Sequence, residues 1–306
     1  MNRVVVGSVL IAVGAFLIVL SPLLRFQVAP ALIAAAGDHY GITKLRATGA
    51  QYFSIPDGKV LTADLDIIVT TRGDVKEASG DRVVWDEFTA VNDVTNGKPG
   101  INFTERRSAF DKRSGVGLNC CGVSIDKAPV ELEGQIYKFP FDVEKKTYLV
   151  FNSTTGKAYE ARFVGEELVN GLNTYKFEQP VPETKIRTLT APAALFGMGE
   201  SGDVQLDRYY TGTNTFWIEP TTGAPVRQEQ QRNEVLKSQD GIERSKAFVA
   251  TAKMTDDTVN ELVTTAREGK SQITLIKTTL PIVLAVAGIV LFVGGVLLTV
   301  RGRRTS

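Results

Sequence analysis

Side chains that could do covalent or metal chemistry are scarce in this chain and badly spaced for it. His39 is its only histidine, so paired-histidine metal sites cannot form and any Ser/His/Asp relay would have to run through that one ring. Neither a Gly-x-Ser-x-Gly elbow nor a Gly-x-x-x-x-Gly-Lys-Ser/Thr loop is present, which removes one esterase and one phosphate-cradling signature. Residues 92–100, NDVTNGKPG, have the composition of a calcium loop, but Val94 falls where a side-chain ligand belongs and no Glu closes the turn. Asp64 and Asp66 alternate along a predicted strand and read as a solvated face; Glu105-Arg106-Arg107 and Asp111-Lys112-Arg113 read as an exposed strand and turn. The expectation is a protein that is not an enzyme and needs no cofactor.

Cys120 and Cys121 are adjacent and are the only cysteines. Neighbouring Cα atoms lie about 3.8 Å apart across a trans peptide, below the usual disulfide range of about 4.4–6.8 Å, so a vicinal bridge needs a distorted peptide. Three states stay open: a vicinal disulfide, two buried thiols, or a bond to another chain. Without a Cys-x-x-Cys pair, structural zinc and thioredoxin-like redox chemistry are excluded.

Residues 180–203 invite a binding reading. Pro180, Pro182 and Pro192 punctuate the stretch, and an apolar run covers Ala191 to Gly199. The stretch has neither strand alternation nor a full helical stripe, so it reads as a long loop, and such loops are uncommon unless functional. Ala191, Leu195, Phe196 and Met198 are its candidate contacts with a ligand or a membrane; the alternative is that they pack on the core.

Two elements must position all of this. Val4 to Leu24 and Thr278 to Val300 contain no charged residue, and each is long enough to cross the ~30 Å hydrocarbon core of a bilayer. The predicted layout is a cytoplasmic tail (1–3), a transmembrane helix (4–24), an extracytoplasmic domain (25–277), a second transmembrane helix (278–300) and a cytoplasmic tail (301–306). Arg3 on one side, and Arg301, Arg303 and Arg304 on the other, place both termini in the cytoplasm of a two-pass plasma-membrane protein by the positive-inside bias. A cleaved signal peptide ending near Ala34-Ala35-Ala36 is the alternative, although the first apolar run exceeds the usual 7–15 residues of such a segment. Gly7 and Gly14 lie seven residues apart, as do Gly288 and Gly295, which puts each pair on one helix face where the two anchors can pack closely.

Between the anchors the pattern is β. Leu61, Ala63, Leu65, Ile67 and Val69 keep a period of two. Strands are also predicted from Ala47 onward and around 83–88, 136–141 and 148–151. Turns are expected at Asp57-Gly58, Asn96-Gly97, Thr155-Gly156, Asn170-Gly171 and Thr222-Gly223. A short helix is expected over 28–36. Another follows Thr255 as N-cap with the stripe Val259, Leu262, Val263 and Ala266, and Gly269 breaks it. The fold class is therefore mainly β (α+β): a β-rich extracytoplasmic domain flanked by N- and C-terminal transmembrane helices. Lys plus Arg number 35 and Asp plus Glu 34; without the four tail arginines the balance is 31 against 34, about −3, which gives no long-range pull on nucleic acid.

Three stretches, AFDKRSGVGLNCCG (109–122), EGQIYKFPFDVEKKTY (133–148) and TFWIEPTTGAPV (215–226), together with the two anchors, resemble an actinobacterial cell-envelope family labelled porin PorA. The resemblance spans nearly the whole chain, implies a mycolate-type envelope and brings no catalytic residues with it. Two apolar helices cannot enclose a water-filled pore, so conduction would need oligomerised anchors. The layout is also similar to that of class B scavenger receptors, whose β-rich ectodomain holds a lipid tunnel. The first functional expectation is thus an ectodomain that binds, presents or transports an amphiphilic envelope lipid, with membrane lipids as partners. The alternative is a scaffold among envelope proteins, or a porin-like homo-oligomer. A cavity of several hundred cubic ångströms lined by Leu, Ile, Val and Phe would favour the first; a filled core with an exposed apolar patch would favour the second.

Overall fold

The computed structural model describes residues 3–199 and 202–304. The chain divides into two compact units, residues 1–34 with 267–306, and residues 35–266.

The first unit is helical. Helix α1 (Arg3–Leu23) passes through a π-helical turn, Leu24–Val28, into α2 (Ala29–Leu32). Helix α3 (Asp256–Thr274) begins in the second unit and passes through another π-helical turn, Leu275–Thr279, into α4 (Leu280–Arg304). Both stretches are long and apolar enough to cross a membrane. Gly269 does not break α3 as the sequence suggested, because one glycine inside a helix costs only about 1 kcal/mol relative to alanine.

The second unit is built on β-strands: β1 (Tyr40–Ser54), β2 (Lys59–Gly73), β3 (Arg82–Asp93), β4 (Lys98–Asp111), the short β5 (Gly117–Leu118), β6 (Ser124–Ile125) and β7 (Ala128–Pro129), then β8 (Tyr148–Asn152), β9 (Lys157–Val169), β10 (Leu172–Pro192), β11 (Asp203–Ile218), β12 (Pro225–Ser238) and β13 (Glu243–Met254). They form one antiparallel sheet in the order β7-β6-β4-β3-β2-β1-β13-β12-β11-β10-β9-β8, with β5 on β4. The five predicted turns close the β1–β2, β3–β4, β8–β9, β9–β10 and β11–β12 hairpins, whereas the turns of β2–β3, β10–β11 and β12–β13 are not among those predicted; Asn170 and Gly171 both take the positive φ that a tight hairpin needs. Two meanders therefore meet where the first strand pairs with the last, and the chain enters and leaves the sheet at the same end.

The sheet curls into a half-barrel. Its inner face at the centre is lined by Ala47, Ala50, Ala63, Ala250 and Ala252, all buried with Leu45, Tyr52, Leu65 and Val91. Small side chains on the concave side let neighbouring strands tilt inward without collision. A bulge around Gly49 shifts the register of β1 against both its neighbours and adds local twist. The Gly49 amide donates to Asp64 Oδ1 at 2.9 Å, which holds the bulge in place. The first half of α3 covers Trp217, Val169, Leu172 and Val226 with Val259, Val263 and Ala266, the stripe its spacing predicts.

One end of the half-barrel is drawn shut by the irregular segment 112–147. Gln135 bridges Val116, just past β4, on one side and Val150 of β8 on the other, so a single residue joins the two margins of the sheet. Its amide donates to the Leu149 carbonyl at 2.8 Å and its carbonyl accepts from Phe151 at 2.9 Å. Around this join Phe151 packs with Val84, Phe110 and Ile136. Residues 136–141 are thus a crossing segment and not the strand their pattern suggests. Two further expectations change. Strand β1 begins at Tyr40, seven residues before the predicted start, and residues 180–192 belong to the long strand β10. Strand β9 pairs with β10 only as far as Glu178, so Pro180, Pro182 and Pro192 fall on a free edge, where a missing N–H is tolerated.

Gly134 and Gly122 both hold positive φ (70° and 72°), but a Cβ at Gly134 would press on the Leu149 carbonyl, 2.7 Å from its carbon, whereas nothing lies within 4 Å at Gly122. Gly134→Ala should therefore destabilise the protein by about 3 kcal/mol or more and Gly122→Ala by about 1–2 kcal/mol. Denaturant midpoints of the two variants check this, and equal losses would mean that the join carries no special load.

Candidate functional site

Among the described residues no group of three or more His, Cys, Asp or Glu side chains is placed to hold a metal. Two shallow, open hollows lie on the helical unit. Neither hollow is the enclosed cavity walled by Leu, Ile, Val and Phe that the first functional expectation requires.

The interior is instead partly ionic. Arg106, only 9% exposed, donates to Glu87 at 2.8 Å and lies over the Tyr137 ring at 4.4 Å. Burial opposes the charge on Arg106, and the Glu87 carboxylate outweighs it, so the guanidinium stays ionised. Burial also pushes the Tyr137 hydroxyl up to about 12, against the pull of Arg106. Trp85 stands beside this group, stacked on His39 at 4.1 Å and edge-on to Phe110 at 4.9 Å. Burial lowers the His39 imidazole, with Asp38 acting in the other direction. On the opposite wall the fully buried Glu234 takes hydrogen bonds from Arg208 (2.7 Å) and Arg232 (2.6 Å), and Gln179 bridges Asn214 and the Val150 carbonyl. Reading Glu105-Arg106-Arg107 as an exposed strand is therefore corrected for Arg106. The strand period alone puts it on the inner face, opposite Glu87, and that pairing was the available signal. These pairs hold neighbouring strands in register.

The calcium-like segment is a turn. Asp93 accepts from the Asn96 amide and side chain and from the Tyr52 hydroxyl. Burial would raise the Asp93 carboxyl, but these bonds hold it below its usual range. Reading the sequence as free of a Gly-x-Gly-x-x-Gly spacing is corrected: one occurs at 197–202, but it follows strand β10 and precedes strand β11 rather than a helix, so it lacks the dinucleotide-binding context.

Cys120 and Cys121 lie in the crossing segment, packed at the edge of the Phe110 cluster. Their sulfurs are joined as a vicinal pair with the Cα atoms 3.8 Å apart. Cys121 takes a positive φ of 62°, and its carbonyl accepts from Arg107 Nε at 2.8 Å. In the same segment Lys138 is buried. Its ammonium donates to the carbonyls of Phe139 (2.5 Å) and Arg113 (3.1 Å).

Ala191, Leu195, Phe196 and Met198 sit at the β10–β11 tip, where Ala193–Phe196 form a 3-10 turn. Phe196 is buried against Leu206, Leu236 and Ala247, with Ala191 and Met198 beside it, and its ring stacks on Phe53 at 5.2 Å. Leu195 alone of the four is well exposed. Phe196, Ala191 and Met198 thus pack within the tip.

In the helical unit the structure brings Gly7, Gly14, Gly288 and Gly295 together. A Cβ on Gly14 would lie 2.6 Å from the Gly288 carbonyl oxygen, and one on Gly7 would lie 2.7 Å from that of Gly295. α1 and α4 thus touch backbone to backbone. Ser21 adds a hydrogen bond to the Pro281 carbonyl at 2.7 Å.

The family described as Porin PorA matches residues 6–297. A Porin PorA from Corynebacterium amycolatum is 27% identical, with 60% of each chain covered. One from Corynebacterium resistens is 23% identical, with 58% of each covered. The chain thus spans about 60% of the length of these curated relatives. Porin PorA is not an enzyme family.

Two outcomes follow from this geometry. Gly14→Ile should lower the thermal midpoint of the membrane-embedded protein by several degrees, whereas Gly294→Ile, where no atom lies within 4 Å of the added carbon, should leave it nearly unchanged. Burial lowers the Lys138 ammonium to about 7, with Asp111 opposing. A lysine whose native pKa lies below its unfolded value contributes stability at high pH that fades as pH falls from about 10.5 towards about 7. The wild-type protein should lose at most about 5 kcal/mol over that window relative to Lys138→Met. Parallel slopes of stability against pH in the two proteins would contradict the assignment.

Proposed function

Because the chain belongs to the Porin PorA family, we propose that it is a membrane-tethered envelope protein that works by assembly. The paired apolar helices span the plasma membrane, and the half-barrel stands in water and associates with envelope proteins or further copies of itself. Two spans put both ends of the helix pair on one side of the membrane. The observation that carries the assembly reading is an exposed apolar patch on the outer face of the sheet. Across four strands, Ile42, Thr70 and Phe88 form one row, and Ile68, Ala90 and Phe103 form the next. Phe88 and Phe103 stack at 5.7 Å while remaining 43% and 55% exposed. A paired aromatic patch of this kind on a folded surface is typical of an interaction site.

The outer face of the same sheet also carries Arg46 with Asp64 and Asp66, and Arg107 with Asp74 and Asp86. These charges argue against a lipid-facing barrel. The names of the relatives favour a porin-like variant of the reading, in which conduction belongs to several copies together. One pair of helices encloses no pore, and the apolar runs bring no charge to line one.

Replacing Phe88 and Phe103 with Ser tests the proposal in the native membrane. The expected outcome is that chemical crosslinking captures at least about fivefold less assembled protein, with the thermal midpoint retained, since each aromatic anchor contributes on the order of 1–2 kcal/mol. An unchanged crosslinking pattern in the folded double variant would refute assembly through this patch.

A further inference from the structure

Each margin of the sheet is left open over one stretch. β4 pairs with β3 on one side, but on the other β5 and β6 reach only Arg106, Arg107, Ala109 and Phe110. Asp126 extends that cover to Glu105, whose carbonyl accepts from the Asp126 amide and whose amide donates to Asp126 Oδ1 at 2.9 Å. Over residues 100–104 no strand lies on that side among the described residues. Because the Glu105 groups point outward, the period of two turns the Phe103 amide and carbonyl the same way. On the other margin β10 pairs with β9 only as far as Glu178, and its register against β11 shifts between Lys185 and Arg187. From there residues 187–191 run regularly along β11 and have no second neighbour. Asn102, Phe103, Arg187, Thr188 and Thr190 are all exposed.

Such edges are templates for another strand, and proteins block them with prolines, bulges and short edge strands. Here the blocks bracket two windows. Pro99 and Asp126 flank 100–104, and the shift at Ile186 and Pro192 flank 187–191. The windows match each other. Eight successive antiparallel strands run from β4 to β10, so the two margins point in opposite directions. Both windows lie at the end of the sheet away from its entry at Tyr40 and exit at Met254. Aligned antiparallel, Phe103 meets Thr188, Thr104 meets Arg187 and Pro99 meets Pro192, so the residues without an N–H cap the same end. The faces agree as well. Thr104 is one period from the inward Arg106, and Arg187 pairs with Arg208, which bonds the buried Glu234.

Within one chain the two windows do not pair. Antiparallel pairing of β4 with β4 of a second copy would turn that copy's entry end the opposite way, and the helices of both could not then enter one membrane. Pairing β4 with β10 keeps both entry ends on the same side. We propose that the open β4 window of one copy adds as a strand to the open β10 window of the next, linking copies head to tail. The inference deepens the assembly reading and rests on it: Phe103 belongs both to the exposed aromatic patch and to the pairing window, so the patch flanks the junction. The contact uses two different surfaces, and repetition closes it into a ring when the rotation between copies allows.

The test is disulfide trapping of the full-length protein in its native membrane, where Cys120 and Cys121 are joined to each other. Opposed residues whose backbone groups face away from one another have Cα atoms about 4.5 Å apart, within the disulfide range of about 4.4–6.8 Å. Thr104 and Arg187 form such a pair in the proposed register. Under copper–phenanthroline oxidation, Thr104→Cys/Arg187→Cys is expected to give a ladder of linked multimers on non-reducing gels. Coexpressed Thr104→Cys and Arg187→Cys chains should give linked dimers that neither gives alone, and the off-register Thr104→Cys/Thr190→Cys should give at least about tenfold less. Asn102→Cys/Leu189→Cys reads the same register if a variant of the first pair does not fold, as its thermal midpoint shows. A double variant linked only within its own chain would mean that the sheet closes on itself and would overturn the proposal, as would linkage to a different protein. Absence of linked multimers while chemical crosslinking still captures assembled wild-type protein would overturn this junction and leave assembly through another surface. Absence of both would refute the assembly reading beneath it.

Discussion

The pairing of β1 with β13 is the constraint on which the rest of this structure depends. It joins two meanders, β4 to β1 and β13 to β8, into one sheet and fixes entry and exit at the same end. Antiparallel hairpins need only local turns, but this central pairing brings residues some two hundred positions apart into register, such as Leu45 with Met254. Alanines on the inner face near this seam permit the curl, and the curl brings the margins close enough for Gln135 to bridge them. A flatter sheet would leave β8 and the end of β4 too far apart for one residue to join.

The interior shows how such a closed end is kept specific. Buried ion pairs gain little net stability over apolar packing but are costly to break. Arg106 with Glu87, and Glu234 with Arg208 and Arg232, therefore penalise strand slippage more than they stabilise the fold. A one-residue slip would turn each partner to the outer face and leave the other charged and alone. Ion pairs also populate the outer face, so neither side of the sheet has the continuous apolar band of a membrane barrel. The name shared by the family's members thus has to be reconciled with helices, not strands, as the apolar elements of this chain.

Much of this architecture was legible in the sequence because its physics is local. The period of two at 61–69 is the inner face of β2, the Asn-Gly and Thr-Gly turns close hairpins, and the apolar runs are helices α1 and α4. What escaped depends on contacts distant in sequence. Arg106 looks like any strand charge until Glu87 and Tyr137 are placed around it. Residues 180–192 look like a loop because prolines are read as breakers, and only the early end of β9 explains why a strand accepts them. Residues 136–141 have strand composition but no neighbour long enough to pair with, so they cross the mouth of the half-barrel.

The central claim is that the half-barrel stands in water while the paired helices hold the membrane. Nitroxide labels at Asp66, on the outer face of β2, and at Val290, in α4, test it most directly by power-saturation spectroscopy of the reconstituted full-length protein. The account predicts that the label at Asp66 relaxes with a water-soluble nickel complex and the label at Val290 with molecular oxygen dissolved in lipid. Oxygen-dominated relaxation at Asp66 would place the strands in the bilayer and contradict it.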